Sequence, residues 1–256
     1  MGEVLEARRS ETNRRFKLLQ NELKAAEALA ADKTCVYATG SFGRGEASEH
    51  SDLDLFIVGR SENNQRELSR LDEIRLMAAL IEATRKLSIP EFSKDGEYLI
   101  HYSQQELIQT LGKREDDAKN TFTARLLLLL ESRAVLGDAV YRSAVSGVVA
   151  AYWRDYEGHR EDFVPTFLAN DILRLWRTLC VNYEAGTSSE PPVMKAKRKL
   201  KNYKLRHSRL LTCYSALLYL LATYMMKKTV SPDDAIKMSR LSPTARLVVS
   251  RSWWKK

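Results

Sequence analysis

The chain has 256 residues, of which 44% are hydrophobic, so it is long enough to bury a core, and disordered and fibrous proteins are excluded. Its 41 Lys and Arg residues outnumber its 33 Asp and Glu residues, and the net charge of +8 favours polyanionic ligands. Its cysteines, Cys35, Cys180 and Cys213, lie far apart among apolar neighbours, which argues against a disulfide framework or a zinc site and favours reduced thiols in the cytoplasm.

Two strands separated by a glycine-rich segment are predicted after an amphipathic helix over Glu3–Ala31. Thr34–Thr39 is β-branched and aromatic, and Asp52–Val58 alternates acidic with aliphatic residues before becoming wholly apolar. The segment between them, GSFGRGEASEHS, contains too much Gly and Ser for a stable helix throughout, although a helical turn can start after Ser41.

The pattern downstream is mainly helical. It predicts a helix over Arg66–Leu87, closed by Pro90, and a short strand over Glu97–Tyr102. The later helices are predicted over Gln104–Leu111, Thr121–Gly137, Val140–Trp153, Pro165–Glu184, Lys195–Lys227 and Pro232–Val249. The longest apolar stretch, Cys213–Met226, falls short of the ~20 residues that cross a bilayer, so we interpret it as a buried helix and expect no membrane association.

Positive charge is concentrated late in the chain. Residues 195–256 hold 16 Lys or Arg residues and two Asp residues, a local charge of +14, which leaves −6 on residues 1–194. The run 195–209, KAKRKLKNYKLRHSR, interleaves Leu200, Tyr203 and Leu205 with cations, which is typical of an amphipathic helix. Its basic face could bind RNA, an acidic protein or the phosphates of a nucleotide, or it could simply be solvated.

These elements predict an α/β (α+β) protein. A small mixed sheet with flanking helices is expected in residues 1–112, and a helical bundle with a basic C-terminal part in residues 113–256.

Asp52 and Asp54 are the first candidate functional residues. Residues two apart in a strand project from the same face, so these two carboxylates would lie side by side while Leu53 and Leu55 point to the core. Their mutual repulsion is relieved if a cation lies between them. Oxygen ligands of this kind suit Mg²⁺ or Mn²⁺, which keep waters and substrate phosphates as their other ligands.

Gly40 and Ser41 follow the first strand and are the second candidate pair. A glycine lets backbone amides approach a phosphate, and a serine hydroxyl can bind a phosphate oxygen. Arg44 offers a further phosphate contact, or it pairs with Glu46 across the loop. Together with the aspartates, this arrangement suits a nucleoside triphosphate lying between loop and metal ions.

The run Gly40–Val58, GSFGRGEASEHSDLDLFIV, resembles the signature of the DNA polymerase β-type nucleotidyltransferase superfamily. It is most similar to the N-terminal domain of bacterial PII-protein uridylyltransferases and to related bacterial nucleotidyltransferase-like proteins of unassigned substrate. LLLLLESRAVLGDAVY at Leu126–Tyr141 is similar to the helix after their catalytic domain, and FLANDILRLWRTLCVNYE at Phe167–Glu184 to the helical half of the unassigned relatives.

The resemblance implies an enzyme that transfers a nucleoside monophosphate from an NTP such as ATP to an acceptor hydroxyl of a protein, an RNA or a small molecule. Gly40 and Ser41 would bind the triphosphate, and Asp52 and Asp54 would hold Mg²⁺ or Mn²⁺. The superfamily often has a third carboxylate on a neighbouring strand, for which the sequence offers Glu97, with Asp95 and Glu91 nearby. The alternative is a catalytically weak nucleotide- or RNA-binding module of a toxin–antitoxin or phage-defence system.

Overall fold

The computed structural model describes residues 2–62, 65–90, 92, 96, 99–187 and 195–253. The chain divides into two compact units, Met1–Ala151 and Tyr152–Lys256. The described strands lie in the first unit, and the described elements of the second are helical. The expected α/β class, a mixed sheet with flanking helices followed by a helical region, is confirmed.

The elements of the first unit are, in chain order, α1 (Gly2–Glu22), α2 (Lys24–Ala30), β1 (Thr34–Ala38), α3 (Gly40–Arg44), β2 (Leu55–Gly59), β3 (Ser61–Glu62), β4 (Gln65–Arg66), α4 (Arg70–Lys86), β5 (His101–Ser103), α5 (Gln104–Gln109), α6 (Glu115–Ala118), α7 (Thr121–Glu131), β6 (Arg133–Leu136) and α8 (Asp138–Tyr152). Those of the second unit are a 3₁₀ turn (Tyr156–Gly158), α9 (Thr166–Ala185), α10 (Lys195–Lys204), a π-helical segment (Leu205–Arg209), α11 (Leu210–Lys227), α12 (Pro232–Ser239) and α13 (Pro243–Trp253).

The main sheet has the strand order β5-β2-β1-β6. β1 pairs antiparallel with both β2 and β6, whereas β5 pairs parallel with β2, so the sheet is mixed. Every residue of β1 and β2 is buried, because helices cover both faces of these central strands.

The two faces of the sheet have different cores. Val36 and Ile57 face a cluster that includes Phe16 and Leu19 of α1 and Leu76 of α4. On the opposite face the ring of Tyr37 stacks on Phe56 with centroids 5.4 Å apart, and the Tyr37 hydroxyl donates to the carbonyl of Ala124 in α7 at 3.0 Å. The alternation of side chains along the strands therefore places Val36 and Ile57 on one face and the rings of Tyr37 and Phe56 on the other.

The helix expected over Thr121–Gly137 is shorter than the sequence indicates. Helix α7 ends at Glu131, Ser132 is extended with φ −100° and ψ 158°, and the chain continues as β6. Strand β6 pairs with the edge of β1 that β2 leaves open. The backbone hydrogen bonds of this pairing stabilise the strand more than a longer α7 would stabilise the same residues as a helix. The sheet thus takes a strand from beyond residue 112, the division expected from sequence, and the first compact unit extends to Ala151.

Other boundaries also differ. The helix expected over Pro232–Val249 is two helices, α12 and α13, because the second begins at Pro243, whose ring cannot continue a preceding helix. The N-terminal helix is interrupted at Leu23, although the hydrogen bond from Leu23 N–H to the Leu19 carbonyl keeps the two parts nearly continuous. The strand expected over Glu97–Tyr102 begins at His101, and residues 97 and 98 lie outside the described residues.

Helix α11 is the central helix of the second unit and packs against α9, α12 and α13. The helical stretch Ala196–Lys227 is long and apolar enough to cross a membrane by length and composition alone, and 44% of its most apolar window is buried inside the protein. Its inner face carries buried residues, including Cys213, Ala216 and Leu220, as expected for the core helix of a bundle.

Candidate active site

The first strand ends in a tight turn at Gly40. Gly40 has φ +62°, a backbone conformation that glycine adopts without strain, and it starts the short helix α3. The helix closes at Gly45, which has φ +75°, and the Glu46 N–H donates to the Ser41 carbonyl at 2.8 Å. The glycines predicted to form a phosphate-binding loop therefore produce a compact helical turn directly after β1.

The carboxylate of Asp54 lies beside this turn. Asp54 Oδ2 is 2.8 Å from the point where a Cβ on Gly40 would be, so any larger residue at this position would displace the Asp54 carboxylate. The Thr39 N–H donates to the Asp54 carbonyl at 2.9 Å and extends the pairing of β1 and β2 by one bond. The end of the β1–β2 ladder thus brings Asp54 next to Gly40.

Asp52 and Asp54 were expected within the second strand, but β2 begins at Leu55 and both aspartates precede it. The reason is that the chain turns away at Gly40, so residues before Asp54 have no ladder partner on β1.

The side chains nevertheless alternate as in a strand. Leu53 is only 1% exposed and belongs to the same core cluster as Leu55, whereas Asp52 and Asp54 are half-buried. This alternation indicates that the two carboxylates share the side of the sheet opposite that core cluster.

Two carboxylates of this kind fit a divalent ion that takes its other ligands from water and phosphate oxygens. The short distance from Asp54 Oδ2 to Gly40 means that such an ion would lie against the turn that is the candidate phosphate site. Among the residues that the structure describes, no group of three or more metal-binding side chains occurs. The third acid proposed from sequence, Glu97, and its alternatives Asp95 and Glu91 lie outside the described residues.

Arg44 contacts two carboxylates in this structure. Its Nη1 lies 2.7 Å from Glu131 Oε2 and its Nε lies 3.1 Å from Glu46 Oε2, and its side chain is nearly buried. Burial alone would lower the pKa of Arg44, but the charges of Glu131 and Glu46 outweigh this effect and raise it. The arrangement is the pairing across the loop that the sequence suggested as one alternative, and a phosphate contact of Arg44 stays a prediction.

Glu131 is a site residue that the sequence analysis missed. Its carboxylate accepts hydrogen bonds from the Gly40 N–H at 3.2 Å and from Arg44, so it joins both ends of α3 to the end of α7. A Cβ on Gly43 would come within 1.9 Å of the Glu131 carbonyl, which shows how closely the two helices approach. The signal available in the sequence was a single acid ending the leucine run Leu126–Leu130, where a buried charge needs a partner.

A cavity of about 550 Å³ lies in the first unit, away from the Gly40 turn. It is lined by Arg66, Ile100, His101, Tyr102, Glu106, Ala118, Lys119 and Asn120. The imidazole of His101 is fully buried, and its Nδ1 lies 3.7 Å from a carboxylate oxygen of Glu73. None of the candidate site residues that the structure describes, Gly40, Ser41, Arg44, Asp52 and Asp54, lines this cavity.

The nucleotidyltransferase domain family matches residues 19–120. No curated protein and no solved structure matches the chain. The matched range contains the Gly40 turn and both aspartates and ends before α7, so Glu131 lies beyond it. The specific similarity to PII-protein uridylyltransferases stays a prediction. Residues 19–120 thus match a nucleotidyltransferase domain, which supports the DNA polymerase β-type superfamily and nucleotide transfer as the general class of reaction.

Proposed function

We propose that this chain transfers a nucleoside monophosphate from an NTP to an acceptor hydroxyl and releases pyrophosphate. The observation that carries the proposal is the carboxylate of Asp54 beside the Gly40 turn, with Asp52, like Asp54, half-buried next to the buried Leu53. The nucleotidyltransferase domain match over residues 19–120 supports it.

In this proposal the turn holds the triphosphate and the aspartates hold the metal. Gly40 leaves room for a phosphate next to the backbone, and the Ser41 hydroxyl binds a phosphate oxygen. Asp52 and Asp54 are the ligands of Mg²⁺ or Mn²⁺. When bound, such ions neutralise charge on the triphosphate and on the departing pyrophosphate.

The chemical step forms one bond and breaks one bond. The acceptor oxygen attacks the α-phosphorus, the bond from that phosphorus to the oxygen bridging the α- and β-phosphates breaks, and pyrophosphate leaves. The proton of the hydroxyl passes to a base, for which we propose Glu97. Glu97 precedes β5 in the chain, and β5 runs parallel to β2.

The acceptor is a protein, an RNA or a small molecule in the cytoplasm. Similarity to uridylyltransferases favours a protein. The basic run 195–209 favours RNA or an acidic protein, since its cations can bind either.

A transfer assay tests the proposal. The full chain is incubated with each labelled NTP, with Mg²⁺ or Mn²⁺ and with cell extract, and label on an acceptor and free pyrophosphate are measured. We expect label and pyrophosphate in equal amounts, and their loss by about 10²-fold or more in Asp54→Asn. The matched control is Asp138→Asn, whose exposed carboxylate pairs with Arg142 on α8. Transfer that persists in Asp54→Asn would refute the proposal.

One observation favours a second candidate, a nucleotide-binding module with weak catalysis. Glu131 already accepts the Gly40 N–H and pairs with Arg44, so two groups that a triphosphate would contact are engaged by a carboxylate. Tight NTP binding without pyrophosphate release would identify this module.

A further inference from the structure

An exposed apolar stripe runs along α10 and α11 in the second unit. Its members are between 37% and 61% exposed, and they are Leu200, Tyr203, Leu210, Tyr214, Leu218, Leu221 and Met225. From Leu200 to Met225 the stripe measures roughly 38 Å at ~1.5 Å per residue. Exposed apolar side chains repeated along one side of a helix are a feature of interaction sites on folded proteins.

The spacing of the stripe is that of the line of contact between two packed helices, so we call the stripe a seam from here on. On α11 its members follow one another at steps of four, four, three and four residues, from Leu210 to Met225. At ~100° per residue these five positions occupy about 80° of the helix surface, as in the stripe of a coiled coil, and Met226, which is also exposed, lies beside the stripe at its C-terminal end. A helix lying on a bilayer has a wider apolar face, whereas the opposite side of α11 is buried in its own unit. The narrow stripe therefore fits another helix better than a lipid surface.

Helix α9 borders the seam on one side. The ring of Trp176 meets Tyr214 edge-on, with centroids 6.0 Å apart, and Leu173 is exposed one turn earlier on α9. Aromatic rings that are half-exposed beside aliphatic side chains are the usual anchors of a protein interface. The two helices thus provide a shallow apolar groove into which a third helix can pack.

The positive charges near the seam indicate that its partner carries negative charge. Residues 195–232 contain no Asp or Glu. Exposed cations lie before and after the α11 part of the stripe, Leu210–Met225: Lys204 and Arg206 precede it, and Lys228 follows it. A second copy of this chain would bring cations against cations in either orientation. RNA would use the cations but not the leucine and methionine side chains.

We propose that this seam binds an amphipathic helix of a partner protein whose apolar face is flanked by acidic residues. The inference rests on the second unit alone and does not depend on the Gly40 turn or on the aspartates, so it and nucleotide transfer can each fail without the other.

Two designed peptides test the proposal with the full chain. Both are amphipathic helices with the same leucine seam; one carries Glu and the other Lys at the flanking positions. Fluorescence anisotropy measures their affinities. We expect the Glu peptide to bind at least about tenfold more tightly than the Lys peptide, and its affinity to fall as salt increases. Equal affinities, or no binding of either peptide, would overturn the proposal.

The double variant Leu218→Ser with Leu221→Ser should weaken binding of the Glu peptide by about tenfold or more, because both side chains lie in the seam. Val248→Ser is the matched control, since Val248 is 70% exposed on α13 and lies outside the seam. Circular dichroism melting verifies that the variants fold. The double variant Lys204→Glu with Arg206→Glu tests separately whether the cations contribute to binding of the Glu peptide. Seam-dependent self-association of the chain, or seam-dependent binding of RNA or anionic vesicles, would also overturn the proposal.

Discussion

Two carboxylates, those of Asp54 and Glu131, lie beside Gly40 just after the end of β1. Asp54 Oδ2 lies next to its α-carbon, and Glu131 accepts its N–H. Glycine is favoured for two separate reasons, the positive φ and the Asp54 carboxylate that a Cβ would displace. The same residue thereby determines the course of the turn and brings the Asp54 carboxylate beside it.

Gly40→Ala should destabilise the protein by about 1–3 kcal/mol, because the new methyl group meets Asp54 and the left-handed backbone is strained. Nucleotide binding should weaken as well, since the Asp54 carboxylate must move. Urea unfolding and nucleotide titration measure the two effects. Gly158→Ala is the control, because nothing lies within 4 Å of a Cβ at Gly158. Equal stability of the two variants would contradict the steric argument.

Glu131→Gln should lower the free energy of unfolding by about 1–3 kcal/mol, because Arg44 is nearly buried and loses one of its two charged partners. If Glu131 also limits access of the triphosphate to the Gly40 N–H, NTP binding should tighten rather than weaken. A structural role alone predicts only the loss of stability. Glu157→Gln, which removes one side of an exposed ion pair with Arg160, is the control and should change neither measurement.

At the scale of elements, the strongly periodic segments were predictable and the short ones were not. The sequence predicted β1, the central part of β2, α4, α9 and α11, because the apolar periodicity that identifies each element lies within one run of consecutive residues. Strand β6 was missed because RAVL follows a leucine run without a Gly or Pro, and its pairing with β1 is a long-range contact. Asp54 was assigned to the site from sequence, but its contact with Gly40 depends on how β1 and β2 align.

The edge strand β5 contains the buried His101. Burial and the charge of Arg66 lower its pKa below the model-compound value of 6.5, although the charge of Glu73 opposes this. The unfolded chain therefore binds a proton that the folded chain resists, so stability falls as the pH drops below about 6.5.

Replacement of this histidine tests that linkage. His101→Gln should flatten the dependence of unfolding free energy on pH between about pH 7 and pH 5. Denaturant unfolding at several pH values measures the slopes. An unaltered slope in His101→Gln would exclude His101 as the group responsible.

For the whole molecule, the distribution of charge and the compact units divide the chain at different residues. The acidic excess lies in residues 1–194 and the basic excess in residues 195–256, whereas the first compact unit ends at Ala151 along the chain. The charge division was readable from sequence because it depends only on composition. The structural division was not, because it depends on β6 joining the sheet from outside the expected first region.

Two fragments test this division. A chain ending at residue 112 lacks β6 and α7, which exposes the edge of β1 and the aromatic face of the sheet, so it should not fold cooperatively. A chain ending at residue 151 retains both and should fold. Circular dichroism melting and limited proteolysis distinguish the two. A cooperative transition of the shorter fragment would contradict the assignment of β6 to the sheet core.

Binding of Mn²⁺ in the presence of a non-hydrolysable NTP, followed by electron paramagnetic resonance, tests the central claim most directly. The account predicts nucleotide-dependent Mn²⁺ binding in the wild-type chain and in Asp138→Asn, and its loss in both Asp52→Asn and Asp54→Asn. Undiminished Mn²⁺ binding in those two variants would show that these aspartates do not form the metal site beside the Gly40 turn.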